Sequence, residues 1–412
     1  MKKVNGLILI MICLVLITSC GEGKNNIDNS DQTEAETVEQ TVENNEKGKL
    51  TINPDDYYKV QLFSLPEDFR QAAVDHMRKQ ASIEWVCGAD FSVSEEFANW
   101  DIDLTFKKGQ TYHGLPYADT KVSYTQFEGM LVDGKYTCAS SAWKDVAGVQ
   151  CVSSIMNSIQ QFDPSVAGTS SVLMPGSDKF EAKICGEYEV PLGKKRTADI
   201  ISANSQDTII KAYSQLKKGD IIGQRNAEKG TSHYRLVVED AVIFTNSAGK
   251  INPQRSYVKT IEQTNAFDKQ RTDGVKTNWF VDHIYTFDVL YKANYLPYTL
   301  EIYSKDISEC EIPYILLDKE ITPTQLEKRS LQSTIKSNFP IRYAYLDVYY
   351  KSGELVKRIA EGDFSDQRSI SLRTRSYAVC EGLENGEYTF VVTCGIAIGS
   401  VELARVDFTY NK

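Results

Sequence analysis

Two segments of the chain place a thiol and an imidazole where they could act together as a nucleophile and a base. The thiol belongs to Cys151, which is followed by apolar residues at Val152, Ile155, Met156 and Ile159. This i, i+3, i+4, i+7 spacing predicts an amphipathic helix that begins near Cys151. A helix N-terminus lowers the pKa of a thiol through its dipole, and its free N–H groups can stabilise an oxyanion. On position alone, a buried structural cysteine is the simpler interpretation.

The imidazole belongs to His233, within the predicted strand of residues 232–238. Tyr234, Leu236 and Val238 alternate as the apolar face of this strand, so His233 points to the other side, where it can border a cleft. A cysteine at a helix start that faces a histidine on a strand is the arrangement of a cysteine hydrolase. The imidazole takes the thiol proton and later returns it to the leaving amine.

Three landmarks along the chain resemble those of a known family. They are residues 112–117 (Tyr-His-Gly-Leu-Pro-Tyr), residues 148–154 around the cysteine, and Lys218-Gly219-Asp220 ahead of His233. In this order they resemble NlpC-type cell-wall cysteine peptidases, papain-like enzymes that cut peptide or amide bonds in peptidoglycan stems. The resemblance covers about residues 60–290. It implies that Cys151 is the nucleophile and His233 the general base.

The resemblance also implies a third polar residue, on the strand that follows the histidine strand, which orients the imidazole. A predicted hairpin at residues 246–249 leads to a strand over residues 257–263, where Glu262 and Gln263 are both candidates. Strand alternation puts them on opposite faces, so only one of them can face His233. We favour Glu262, because Gln263 lies on the more apolar face.

Two tyrosines, Tyr112 and Tyr117, are candidates for lining the substrate cleft, with simple packing as the equal alternative. Close to the thiol the chain departs from the family. The family usually has an aspartate before the nucleophile and a serine after it, whereas this chain has Gln150 and Val152. Both departures bear on substrate preference and on activity.

Other residues that could carry chemistry are weaker candidates. Cys138 is a rival nucleophile, but the apolar spacing behind it is less regular. His76 lies in a helix predicted from Pro66 to about Ala81, on one face with apolar residues, and is expected to be a core histidine. The four histidines form no H-E-x-x-H pattern and the nine cysteines no C-x-x-C pair, so we predict neither a metal site nor a cofactor.

The N-terminus predicts export. Lys2 and Lys3 precede an apolar run that ends at Thr18-Ser19-Cys20, which is typical of a signal peptide over residues 1–20 and resembles the lipobox of bacterial lipoproteins. Residues 21–49, with eight acidic and three basic residues, predict a disordered acidic tether. The net charge of −10 and the lack of a basic stripe give no support for nucleic-acid binding.

The remaining chain predicts an α+β protein of two domains. Residues 50–292 form the papain-like domain, and residues 293–412 form an antiparallel β-sandwich. The strands predicted in this second domain are residues 342–350, 355–359, 387–394 and 401–410, with turns at Ser352-Gly353 and Asn385-Gly386.

The sequence therefore predicts a cysteine endopeptidase or amidase that acts on peptidoglycan peptides and is anchored through Cys20 to a membrane surface outside the cytoplasm. Two alternatives stay open. One is a non-catalytic lipoprotein that binds cell-wall glycan or peptide in an inert cleft. The other is a papain-like transferase that uses an amine in place of water. The sequence leaves the oligomeric state open.

Overall fold

A computed structural model describes residues 47–93, 104–118, 120–138, 145–166, 173, 175, 182–191, 193, 196–226, 228–362 and 366–412. The predicted signal peptide, the lipidation site Cys20 and all of the predicted tether up to residue 46 lie outside these residues. The described residues belong to one compact unit, Asn45–Lys412. None of the helices described in this unit is long and apolar enough to cross a membrane.

The described chain is a mixed α+β protein with several antiparallel sheets, as predicted. The strands are β1 Lys59–Leu62, β2 Glu84–Cys87, β3 Phe91–Ser92, β4 Thr105–Phe106, β5 Thr111–His113, β6 Lys135–Tyr136, β7 Ala182–Ile184, β8 Ile221–Asn226, β9 Thr231–Val237, β10 Tyr257–Gln263, β11 Trp279–Thr286, β12 Leu296–Leu300, β13 Tyr314–Leu317, β14 Thr334–Ser337, β15 Tyr343–Tyr350, β16 Leu355–Glu361, β17 Ser369–Ser371, β18 Gly386–Ile396 and β19 Gly399–Tyr410. The α-helices are α1 Phe69–Ser82, α2 Tyr124–Glu128, α3 Cys151–Ile159, α4 Thr197–Ser202, α5 Gln206–Tyr213, α6 Phe287–Lys292, α7 Pro323–Glu327 and α8 Ser376–Cys380.

A six-stranded antiparallel sheet, in the order β11-β10-β9-β8-β12-β7, forms the centre of the first part of the chain. Alternate residues of its strands enter two different hydrophobic clusters. Tyr234 and Leu236 of β9 pack in the cluster that contains α1 and α3, whereas Val237 packs with α4, α5 and α6. The alternation predicted around His233 is therefore confirmed, and it determines which side chains share the face of His233.

Helix α1 begins at Phe69 rather than at Pro66. The reason is the Asp68 carboxylate, which accepts a hydrogen bond of 2.9 Å from the Gln71 backbone N–H and so acts as the N-cap. The ring of His76 contacts Ser158 Oγ at 3.2 Å, and burial lowers the pKa of His76 to about 3. His76 is thus a neutral, hydrogen-bonded histidine between α1 and α3, as predicted.

The C-terminal part contains two four-stranded antiparallel sheets, β1-β13-β14-β17 and β16-β15-β18-β19, which share one hydrophobic cluster. The four predicted strands correspond to β15, β16, β18 and β19 within two residues at each end. The turn predicted at Asn385-Gly386 is wrong as a hairpin, because helix α8 rather than a strand precedes β18. Cys380 lies on this helix as a free, buried thiol.

The pairing of strands crosses the predicted domain boundary between residues 292 and 293. β12, Leu296–Leu300, still belongs to the six-stranded sheet, where it pairs with β7 and β8. β1, near the start of the described chain, pairs with β13 of the C-terminal part. The chain therefore enters the C-terminal sheets twice.

The Lys218-Gly219-Asp220 segment forms the turn into β8. Gly219 has a φ of +84°, a conformation that favours glycine. Asp220 is 1% exposed, and its carboxylate accepts hydrogen bonds from Arg70 Nη1 at 2.7 Å and from the Lys217 backbone N–H at 2.8 Å. Since Arg70 also donates to the Lys218 carbonyl at 2.6 Å, this ion pair joins α1 to the turn.

Replacing Asp220 should be costly, because it leaves the Arg70 charge without its partner in a part-buried site. We expect Asp220→Ala to lower the free energy of unfolding by about 3–5 kcal/mol, measured by urea denaturation of the full chain. Asp273→Ala, which removes the surface ion pair with Arg271, is the control and should change stability little. Equal losses for the two variants would contradict a structural role for this pair.

Candidate active site

Helix α3 places the candidate nucleophile. Cys151 is its first residue, as the apolar spacing predicted, and the buried side chains of Ile155 and Ile159 fix the helix against the core. Gln150 occupies the N-cap position, and its backbone N–H donates to Ser153 Oγ at 2.8 Å. The first N–H groups of a helix have no acceptors within the helix, and the Gln150 side chain caps the backbone N–H of Ser153.

The start of β9 brings the imidazole to this thiol. Cys151 Sγ lies 3.9 Å from the Ser232 carbonyl oxygen, and the Cys151 side chain is close enough to His233 to raise the pKa of its imidazole. Cys151 is only 4% exposed to solvent, whereas the side chain of His233 is 24% exposed. The structure therefore brings together the two residues predicted to be nucleophile and base.

Glu262, on the neighbouring strand β10, orients the imidazole from the other side. Its carboxylate is 1% exposed and contacts His233 Nε2 through Oε2. The same Oε2 accepts a hydrogen bond of 2.7 Å from Arg235 Nε, and Oε1 accepts one of 2.5 Å from the Tyr285 hydroxyl. Since Glu262 engages Nε2, Nδ1 is the ring nitrogen that remains for the thiol of Cys151.

The charges at the site favour a protonated imidazole. Burial opposes the imidazolium, but the Glu262 carboxylate and the hydrogen bond with Cys151 outweigh it and raise the pKa of His233 to about 9. Burial likewise opposes the carboxylate of Glu262, but His233 and Arg235 outweigh it and hold the pKa of Glu262 well below its ordinary value. A pKa raised in this way favours the imidazolium form of His233 at neutral pH.

Arg235 and its aromatic neighbours are part of the site but were not predicted. The Arg235 guanidinium carbon lies 3.9 Å from the ring centroid of Tyr285 and 4.2 Å from that of Tyr295. Arg235 is two residues after His233, so strand alternation alone places it on the same face. The tyrosines come from β11 and from the segment before β12, and no local pattern in the sequence links them to His233.

Gln263, the other candidate for the third position, lies on the opposite face of β10 and is fully buried. Its Nε2 donates to the Leu115 carbonyl oxygen at 2.9 Å, so it holds the segment that leads to Tyr117. Tyr117 forms a β-bridge with Val149, two residues before the nucleophile, so its backbone lies close to Cys151 in the fold. The structure thus gives Glu262 the contact with the imidazole and Gln263 a role in packing.

Tyr112 lies away from the thiol, in an aromatic cluster. It is 1% exposed, and its ring stacks on Trp85 at 5.1 Å and on Phe267 at 5.8 Å. Its hydroxyl accepts a hydrogen bond of 2.8 Å from the Lys107 backbone N–H. The packing alternative therefore describes Tyr112, and the structure does not place it at the substrate cleft.

The rival nucleophile, Cys138, lies just after β6 and interacts with the Tyr136 hydroxyl. The other three histidines have partners elsewhere: His76 contacts Ser158, His113 contacts Glu84 at 3.3 Å, and His283 contacts Asp268 at 3.3 Å. Among the described residues, His233 is thus the histidine that faces a cysteine, and that cysteine is Cys151.

Within the described ranges, no cluster of three or more histidine, cysteine, aspartate or glutamate side chains could hold a metal ion. The comparisons with known proteins give no match: no protein-family model, no curated protein and no solved structure is similar to this chain. The chemistry of the site is therefore argued from its own geometry.

Removing the Glu262 charge should make His233 a weaker base. We expect Glu262→Gln to lower the pKa of His233 from about 9 by at least about one pH unit, because the anion that favours the imidazolium is lost. Histidine-labelled NMR titration of the full chain measures this directly, since the protein has four histidines.

Asp268→Asn is the matched control for this titration, because it alters the corresponding carboxylate contact of His283. It should leave the His233 titration where it is in the wild type. An unchanged His233 pKa in Glu262→Gln would show that Glu262 does not act on the imidazole.

Proposed function

We propose that this chain is a cysteine peptidase or amidase with a papain-like arrangement of Cys151, His233 and Glu262. The observation that carries the proposal is the position of His233, which interacts with the candidate thiol and whose Nε2 contacts a buried carboxylate. Three residues from α3, β9 and β10 meet in the order nucleophile, base and orienting acid.

The geometry supports a two-step hydrolysis. The Cys151 thiolate attacks the carbonyl carbon of an amide and forms a C–S bond, while free N–H groups at the start of α3 stabilise the oxyanion. The His233 imidazolium gives its proton to the amine, the C–N bond breaks, and a thioester remains on Cys151. Neutral His233 then removes a proton from water, which cleaves the thioester to a carboxylic acid and restores the thiol.

Peptidoglycan stem peptides are the proposed substrates. This assignment rests on the family resemblance of residues 112–117, 148–154 and 218–220, and on the predicted export of the chain. Lipid at Cys20 and an acidic tether would hold the domain at the membrane surface, facing the cell wall. The C-terminal sheets, which share one core, are proposed as a β-sandwich accessory domain. The proposed reaction requires no cofactor.

Digestion of purified peptidoglycan tests the activity. The full chain should release new amine and carboxylate termini from stem peptides, detected by mass spectrometry of the muropeptides. Cys151→Ala should lower the rate by at least about 10³-fold, because no other group forms the thioester. Cys138→Ala is the control and should keep wild-type activity.

Muropeptides that stay intact with wild-type protein but bind to it would favour the non-catalytic alternative. Products joined through a new amide bond, rather than free acids, would instead favour the transferase.

The lipid anchor has its own test. In bacteria that express the chain, Cys20→Ser should abolish incorporation of labelled fatty acid and move the protein from the membrane fraction to the soluble extracytoplasmic fraction. Cys13→Ser, within the same predicted signal peptide, is the matched control and should leave labelling and fractionation unchanged. Labelled Cys20→Ser protein would contradict lipidation at this residue.

A further inference from the structure

The third member of the proposed triad is a charged glutamate, and a buried carboxylate next to an imidazolium creates a problem for catalysis. The closer the anion holds the proton on His233, the less readily His233 gives that proton to the leaving amine. Protonation of Glu262 would create the opposite problem, because a neutral glutamic acid would no longer stabilise the imidazolium. A neighbouring group that keeps Glu262 ionised and weakens its interaction with the imidazolium would solve both problems.

The geometry around Glu262 contains a side chain suited to this task. Arg235 Nε donates to Oε2 of Glu262 at 2.7 Å, and this is the same oxygen that contacts His233 Nε2. Two cations thus compete for one carboxylate oxygen. The Arg235 side chain is 12% exposed and the Glu262 side chain 1%, so solvent screens this competition only weakly.

Arg235 is also fixed in place. Its guanidinium carbon lies between the rings of Tyr285, at 3.9 Å, and Tyr295, at 4.2 Å. Tyr285 adds a second constraint, since its hydroxyl donates to the other oxygen of Glu262. Tyr295 meets the His233 ring edge-on at a centroid distance of 6.4 Å. The arginine, the carboxylate and the imidazole therefore form one connected group.

We propose that Arg235, held between Tyr285 and Tyr295, is a positioning residue that keeps Glu262 ionised and limits how strongly it retains the proton on His233. This inference rests on the proposed function. Arg235 does not touch the reacting atoms and acts only through Glu262.

The sign of the effect follows from the charges that face His233. They are the thiol of Cys151 from α3 and the carboxylate of Glu262 from β10, with the guanidinium of Arg235 from β9 and the hydroxyls of Tyr285 and Tyr295 beyond them. Removing the arginine charge leaves Glu262 with His233 as its one cationic partner in this group. The carboxylate then favours the imidazolium more, and the pKa of His233 rises.

The test is an NMR titration of histidine-labelled full-length protein, in which the His233 signal is assigned by its loss in His233→Ala. We expect Arg235→Met and Arg235→Gln to raise the pKa of His233 by about one pH unit. Arg235→Gln keeps a donor for Glu262 without the charge, so it separates charge from packing. Arg235→Lys should stay close to the wild type. Thermal unfolding of each variant shows which of them are folded.

Arg255→Met is the matched control, because Arg255 also stacks on an aromatic ring, that of Phe244 at 4.6 Å, but is not among the residues described above as contacting His233 or Glu262. It should leave the titration of His233 unchanged. If both neutral variants of Arg235 titrate like Arg255→Met, the role of Arg235 is overturned. If wild-type His233 itself titrates near its ordinary value, the ion pair of the proposed function fails, whatever Arg235 does.

Discussion

A single buried carboxylate determines the chemistry of this site. Glu262 is almost inaccessible to solvent and remains ionised because His233, Arg235 and Tyr285 all donate to it. A buried anion of this kind is stable only with such partners. In return, Glu262 engages Nε2 of His233 and favours the protonated ring.

The fold supplies the positions that this carboxylate requires. β9 and β10 are neighbours in the six-stranded sheet, which brings Glu262 level with Arg235 and next to His233. Helix α3 packs on the face of the sheet that carries Tyr234 and Leu236, and Cys151 is its first residue. The ion pair of Asp220 with Arg70 holds the entry to β8 against α1, on which α3 packs. The site thus depends on long-range pairing as much as on any local motif.

Helix and strand periodicity in the sequence predicted the elements that carry Cys151, His233 and Glu262, because these elements depend on local patterns. Apolar spacing predicted that Cys151 begins a helix. Strand alternation predicted that Glu262 and Gln263 lie on opposite faces of their strand, and that His233 points away from the apolar face of its own strand. The same alternation applied to Arg235 would have found it. Tyr285 and Tyr295 reach the site through sheet order, which single-strand patterns do not contain. Similarly, the sequence left Tyr112 as either a cleft residue or a packing residue, because it does not show the aromatic cluster of Trp85 and Phe267 that encloses this side chain.

The central claim, a thiolate stabilised by His233, is tested most directly by the rate at which iodoacetamide alkylates Cys151 in the full chain across pH. Peptide mass mapping assigns the site, and His233→Ala is the comparison. The account predicts that Cys151 alkylates fast near neutral pH and that its reaction in His233→Ala shifts towards the pH range of an ordinary thiol. A Cys151 that stays inert in the folded protein while Cys138 reacts would contradict it.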